Sequence, residues 1–153
     1  MNGIAAKSIQ MIAAEAFVLV AIITLGCSSS VDYTPPAGSR EMAITHYSFG
    51  QMVIDGKTYE SDLSISADKT VKKWRMRVIH FIDLDDIREL VNDGTRTLII
   101  GIGAQEVCSV SDDVSVYLIS KGVELHVLST DEAVKLFNAT PKKGLAACFH
   151  LNC

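Results

Sequence analysis

The hydrophobic rhythm of this chain changes at Thr97, and that change narrows the possible folds. Before it, apolar and polar side chains alternate through Ile44–Phe49, Gln51–Ile54 and Val71–Ile79. Successive side chains of a strand point to opposite sides, so alternation marks strands with one wet face. After it come unbroken apolar runs, Thr97–Ile100, Val123–Leu128 and Gly144–Leu151, separated by segments of helical period. Such runs suit strands covered on both faces. Strand–helix–strand–helix–strand order with short loops implies parallel strands joined by right-handed crossovers. The expected fold is α/β: a small parallel βαβαβ sheet with helices on it and an antiparallel β-hairpin layer packed against that unit.

Local signals fill in this outline. Asp55-Gly56 is a two-residue hairpin turn, since both central positions need positive φ. Leu63 and Ile65 alternate again, and Ala67–Thr70 makes a turn. Val71–Ile79 reads as one long strand with Trp74, Met76 and Val78 on the core side and a basic stripe, Lys73, Arg75 and Arg77, on the other. Asp83 suits an N-cap, with Asp85 and Asp86 at the positive end of the helix dipole and Gly94 beyond its end. Ser111 or Asp112 starts the next helix, and Ser129 with Glu132 fits a capping box at the third.

The first 42 residues differ from the rest. Ala16–Gly26 is an apolar run whose 11 residues rise only about 16 Å as a helix, too short for a bilayer core of about 30 Å. The length suits a signal-peptide core, and Gly26-Cys27 before three serines resembles a lipoprotein cleavage site, with Cys27 the lipidated residue. Thr24 stands where such sites usually carry leucine. The other reading begins the protein at Met42, leaving Val31–Arg40 as a Pro/Gly linker. Residues 1–42 are thus expected to be leader and linker, and residues 43–153 the domain. A cytoplasmic location is favoured over a secreted, lipid-anchored or membrane-spanning one.

Composition removes several classes. A net charge of −4 with 21% charged residues leaves no nucleic-acid footprint. Four cysteines, Cys27, Cys108, Cys148 and Cys153, show neither disulfide spacing nor a CxxC pair, so thiols packed as small hydrophobes are expected. Any membrane contact would come through the N-terminal segment alone.

An ordered series of short motifs adds a resemblance. Tyr-Ser-Phe-Gly at 47–50, Ile-Asp-Gly-Lys at 54–57, Trp74-Arg75 and His80 before the aspartate-capped helix come first. Leu-Ile-Ile-Gly-Ile-Gly at 98–103, Thr-Asp-Glu-Ala at 130–133, Phe137-Asn138 and His150-Leu151 complete it. Together they resemble the Mth-like small α/β family, which includes the adipogenesis-associated Mth-like protein and the mitochondrial assembly factor for respiratory complex I. The match covers residues 43–153. It implies a three-layer α/β fold, a cytoplasmic or matrix setting and, by analogy, an assembly role; it transfers no catalytic residues.

Candidate chemistry concentrates in four places. Gly101-Ile-Gly103 begins like a dinucleotide fingerprint but lacks the third glycine, and no helix starts directly behind it, so no cofactor is expected. Ligands of open parallel sheets bind beyond the carboxyl ends of the strands, a rim that here gathers Gly101, Gly103, Ser129, Thr130, Asn152 and Cys153. The stripe of Lys73, Arg75 and Arg77 could hold an acidic partner or a phosphate, with Trp74 beside it. Cys148 and His150 share one side of the last strand, about 6.6 Å apart, a spacing open to a thiolate–imidazole pair but short of the four ligands of a zinc site. The leading expectation is a non-catalytic module that binds a protein partner through Trp74–Arg77 and the glycine loop. Its rival is a small enzyme or anion binder using Gly103, Thr130 and His150, and an envelope lipoprotein is a third.

Overall fold

The computed structural model describes residues 30–152. The apolar leader, Cys27 and Cys153 lie outside the described residues. Four strands, β1 (Ser30–Asp32), β2 (Ile44–Ser48), β3 (Gln51–Ile54) and β4 (Lys57–Tyr59), form an antiparallel sheet in that order. The β3–β4 hairpin turns at Asp55 and Gly56, with φ of 48° and 79°, as its two-residue loop requires. The expected linker over Val31–Arg40 starts instead as part of β1: Val31 pairs with Tyr47 and is only 8% exposed. Burial of one apolar side chain and three ladder pairs overrides the Pro/Gly signal that follows it.

The chain continues through β5 (Leu63–Ile65), β6 (Val71–Lys73), β7 (Phe81–Ile82), α1 (Leu84–Ile87) with a 3-10 turn at Arg88–Leu90, and β8 (Thr97–Ile102). It ends with β9 (Ser109–Val110), α2 (Asp112–Ser120), β10 (Glu124–Leu128), α3 (Thr130–Ala139) and β11 (Leu145–His150). The central sheet has the order β10-β8-β11-β5-β6. Strands β10, β8 and β11 are parallel, with Thr97 level with both Glu124 and Leu145. The parallel βαβαβ unit expected from the change of rhythm is therefore present, and its two faces are covered. Ile99, Ala147 and Phe149 face a core shared with α3 and the β1–β4 sheet, while Leu98, Ile100, Ala146 and Cys148 face a second core with α1 and α2. Among the described residues, no helix is long and apolar enough to cross a membrane.

Three details depart from expectation. Strands β5 and β6 leave the hairpin layer and extend the central sheet, antiparallel to β11 and to each other. All three residues of β5 are buried, because β5 sits between two neighbours with a core on either side. Strand β10 is an edge strand with no buried residue, so its apolar run is only half covered. The strand expected over Val71–Ile79 stops at Lys73. Its partner begins at Leu63, so beyond the Trp74 N–H bond to Asp62 O there is no ladder left to join. Asp86 takes over the freed backbone instead: its Oδ1 accepts from Arg77 N at 2.9 Å, and its own carbonyl accepts from the Trp74 indole N–H at 2.9 Å. Trp74 stays in the core, but Val78 is 54% exposed.

The helix starts are largely those expected. Asp83 and Asp86 form a reciprocal capping box on α1, and Ser111 caps α2. At α3 the forward half forms, Glu132 N donating to Ser129 Oγ at 3.4 Å. Asn138, near the end of α3, grips β2 with both ends of its amide: Oδ1 accepts from Ile44 N at 2.9 Å, and Nδ2 donates to Ile44 O at 2.8 Å.

Candidate functional site

Sheet topology brings distant residues to one place. Strand β11 runs parallel to β8 and ends at His150. Antiparallel β5 starts there, with Leu63 opposite Phe149, which sets Asp62 beside His150. Strand β6 returns to the same end, with Lys73 opposite Leu63 and Trp74 N donating to Asp62 O at 2.9 Å. The carboxyl end of the central sheet, where open α/β sheets place ligands, thus collects Asp62, Lys73, Trp74 and His150.

His150 and Asp62 are bonded there. The His150 Nδ1 to Asp62 Oδ2 distance is 2.8 Å, across 88 positions of sequence, and Asp62 Oδ1 accepts from Leu151 N at 2.9 Å. A carboxylate with both oxygens accepting assigns the imidazole proton to Nδ1, which leaves a lone pair on Nε2 in the neutral ring. His150 is only 6% exposed, and Nε2 is buried with no hydrogen-bond partner among the described residues. Buried polar nitrogens in folded proteins are nearly always satisfied, so this one marks a place of interest. The ring of His80 packs edge-to-face on it, centroids 5.5 Å apart. His80 holds φ of 57°, a left-handed conformation uncommon for residues with a side chain, while its carbonyl accepts from Ser109 N at 2.9 Å.

Above this pair opens a cleft of about 700 Å³, walled by Trp74, Met76 and Ile79, with Lys73, Arg75 and Glu60 at its border and His80, His150 and Asn152 also lining it. That size lies within the range of small-molecule sites, roughly 300–1,000 Å³. Arg77 also lines the cleft, but its guanidinium is bound to Asp85 and lies 3.8 Å from Asp83. Lys73 and Arg75 are exposed and have no side-chain partner among the described residues.

The candidate residues therefore divide. Trp74, Arg75, Arg77 and His150 share the cleft. Gly101, Gly103 and Thr130 are packed beneath it as a brace. Thr130 is fully buried; its Oγ1 donates to His150 O at 2.7 Å and accepts from Gly103 N at 3.0 Å. A Cβ on Gly101 would stand 3.0 Å from Phe149 Cδ1 and from Thr130 Oγ1, so this glycine serves close packing. The amide of Thr130, the first of α3, already donates to Gly103 O at 3.0 Å. Asp62 and His80 join the site from outside the candidate set. No spacing signal links Asp62 to His150; the strand pairing alone reveals it.

Of the described thiols, Cys108 and Cys148 are both buried, and folding favours their protonated form. Cys148 lies fully buried, and burial holds its thiol well above the ordinary range. Burial, aided by the Asp62 charge, pushes Cys108 up to about 11. The thiolate–imidazole pairing considered for Cys148 and His150 fails on this ground. Among the described residues, no group of three or more His, Cys, Asp or Glu side chains is placed to hold a metal ion.

A mixed five-stranded sheet flanked by helices and an antiparallel layer, with a histidine–carboxylate pair under a cleft at its carboxyl end, defines a small three-layer α/β domain. Its family can be stated: the model for proteins of unknown function DUF498/DUF598 matches residues 44–150, and the chain belongs to that family, the Mth938-like domains. The conserved hypothetical protein PH1505 from Pyrococcus horikoshii OT3 is similar, with 25% identity over 73% of this chain and 100% of that one, and a TM-score of 0.66. MT938 shares 22% identity over 74% of this chain and all of its own length, at a TM-score of 0.62. A Bordetella pertussis protein described as a Mth938-like domain shares 13% identity over 78% of this chain and 91% of its own, at a TM-score of 0.55. The last two are likenesses of fold alone.

Proposed function

We propose that this domain binds a small polar molecule in the cleft at the carboxyl end of its central sheet. One observation carries the reading: a buried histidine, oriented by a carboxylate, lines a cleft of about 700 Å³ and keeps a ring nitrogen unpartnered. A folded domain gains nothing from leaving that atom unpaired, whereas a ligand atom would satisfy it. The chain carries a single tryptophan, Trp74, which lines the cleft and so reports on it. Titrating a metabolite library against Trp74 emission should yield compounds that saturate, and His150→Ala should abolish their effect. Compounds that bind while His150→Ala leaves the response unchanged would overturn the proposal.

A second reading, a protein-docking module, keeps the assembly role suggested by the resemblance. It is favoured by the apolar surface of Val78, Ile79 and Phe81, which are 54%, 79% and 38% exposed, next in sequence to Arg75 and Arg77. Here Ile79→Asp should release a partner captured from the native host, and capture unaffected by that change would remove the reading. For location we propose the cytoplasm, with tethering through Cys27 as the alternative; palmitate labelling lost in Cys27→Ala would decide for the tether.

A further inference from the structure

Resting on the cleft reading above, we infer that the ligand is an anion that also carries a hydrogen-bond donor such as a hydroxyl: the anion meets Lys73 and Arg75, and the O–H or N–H donates to His150 Nε2. The two requirements come from different observations. The first is charge. Of the ionic side chains lining the cleft, Arg77 is engaged by Asp85, and Asp62 is engaged by His150 and the Leu151 amide. Lys73 and Arg75 are left against Glu60, so the free charge at the border is cationic. Arginine and lysine side chains on an open border hold phosphates and carboxylates through charge-assisted hydrogen bonds.

The second requirement is hydrogen-bond polarity. Asp62 commits one oxygen to Leu151 N and the other to His150 Nδ1, so in the neutral ring the proton sits on Nδ1 and Nε2 accepts. An acceptor of this kind rejects a bare anion oxygen and takes an O–H or N–H. Such a site discriminates strongly between molecules with and without the donor, because the unmatched nitrogen stays buried and unpaired. His80 is the movable part. Its ring packs against His150 from within the same cleft, and the residue is exposed, which leaves the side chain room to turn. In this inference the His80 side chain turns away from His150, and the ligand's donor takes its place against Nε2.

The test uses the full chain and three matched probes: glycerol 3-phosphate, which has both features; n-propyl phosphate, which has only the anion; and glycerol, which has only hydroxyls. Affinities are read from Trp74 emission, and the imidazole state from ¹⁵N spectra of histidine-labelled protein. Glycerol 3-phosphate should bind at least about tenfold more tightly than either partial probe. The Lys73→Ala/Arg75→Ala double variant should weaken both phosphates about tenfold, and His150→Phe should erase the difference between them. Should His150→Phe not fold, the wild-type spectrum replaces it: a non-protonated Nε2 resonance must be present and must move with glycerol 3-phosphate but not with propyl phosphate. Equal affinity of the two phosphates, or glycerol matching glycerol 3-phosphate, overturns the inference. A neutral library compound that saturates through His150 while all three probes fail overturns it too, and leaves the cleft reading standing. If nothing perturbs Trp74, both fall.

Discussion

Replacing Thr130 with valine tests whether this residue is a brace or a ligand contact. The hydroxyl holds two backbone groups in a buried place, accepting from Gly103 N at 3.0 Å and donating to His150 O at 2.7 Å. Valine keeps the volume of the side chain and removes both bonds. A buried backbone group left unpaired costs about 1–3 kcal/mol, so the pair amounts to about 2–6 kcal/mol. Thr130→Ser is the control: it keeps the hydroxyl and loses one buried methyl, about 1 kcal/mol. Urea slopes for domains of this size are about 1–3 kcal/mol per molar. The valine variant should therefore unfold at a midpoint on the order of 1 M below wild type, with the serine variant between them. A valine variant as stable as the serine one would refute the reasoning and return Thr130 to the candidate ligand contacts.

Other consequences follow from the same geometry. Asn138→Ala removes both bonds to Ile44 and should cost about 1–3 kcal/mol in the same denaturation assay; a loss under about 0.5 kcal/mol would mean that the α3–β2 clamp is not needed. Gly101→Ala places a methyl 3.0 Å from Phe149 Cδ1 and Thr130 Oγ1, and overpacking of this kind costs about 1–3 kcal/mol, read as a lower Tm. Iodoacetamide at neutral pH should spare Cys108 and Cys148 in the folded protein and modify both after denaturation, as mapped by peptide mass. The Cys108 thiol, ordinarily at 9.0, is raised to about 11 by folding, so the folded state holds its proton where the unfolded chain has lost it. Its stabilising contribution is complete below pH 9.0 and disappears as pH rises through about 11; Cys108→Ala should flatten that part of the stability profile.

Much of the fold is written in local pattern. Leu98, Ile99 and Ile100 are all fully buried because cores press on both faces of β8, which is what an unbroken apolar run encodes. Asp55-Gly56 and the helix caps at Asp83, Ser111 and Ser129 are likewise local chemistry, and each acts where its residues stand in the chain. What local pattern misses is non-local. Leu63-Ser64-Ile65 carries the same rhythm as a hairpin strand, and only pairing with β11 makes it part of the central sheet. The break after Lys73 depends on where β5 begins and on the Asp86 carboxylate, neither of which leaves a mark in the Val71–Ile79 pattern. The site follows the same division. His150, at the end of an apolar strand, is legible as a rim residue, whereas Asp62 becomes its partner only through sheet topology.

The most direct test is a crystal structure of the protein purified from its native host without denaturation or ligand stripping. The account predicts a small molecule in the cleft between Trp74 and His80, with a polar atom in hydrogen-bond distance of His150 Nε2 and Asp62 still on Nδ1. A ring that has turned so that Asp62 meets Nε2, or a His150 satisfied by the protein's own side chains beneath an unliganded cleft, would contradict it.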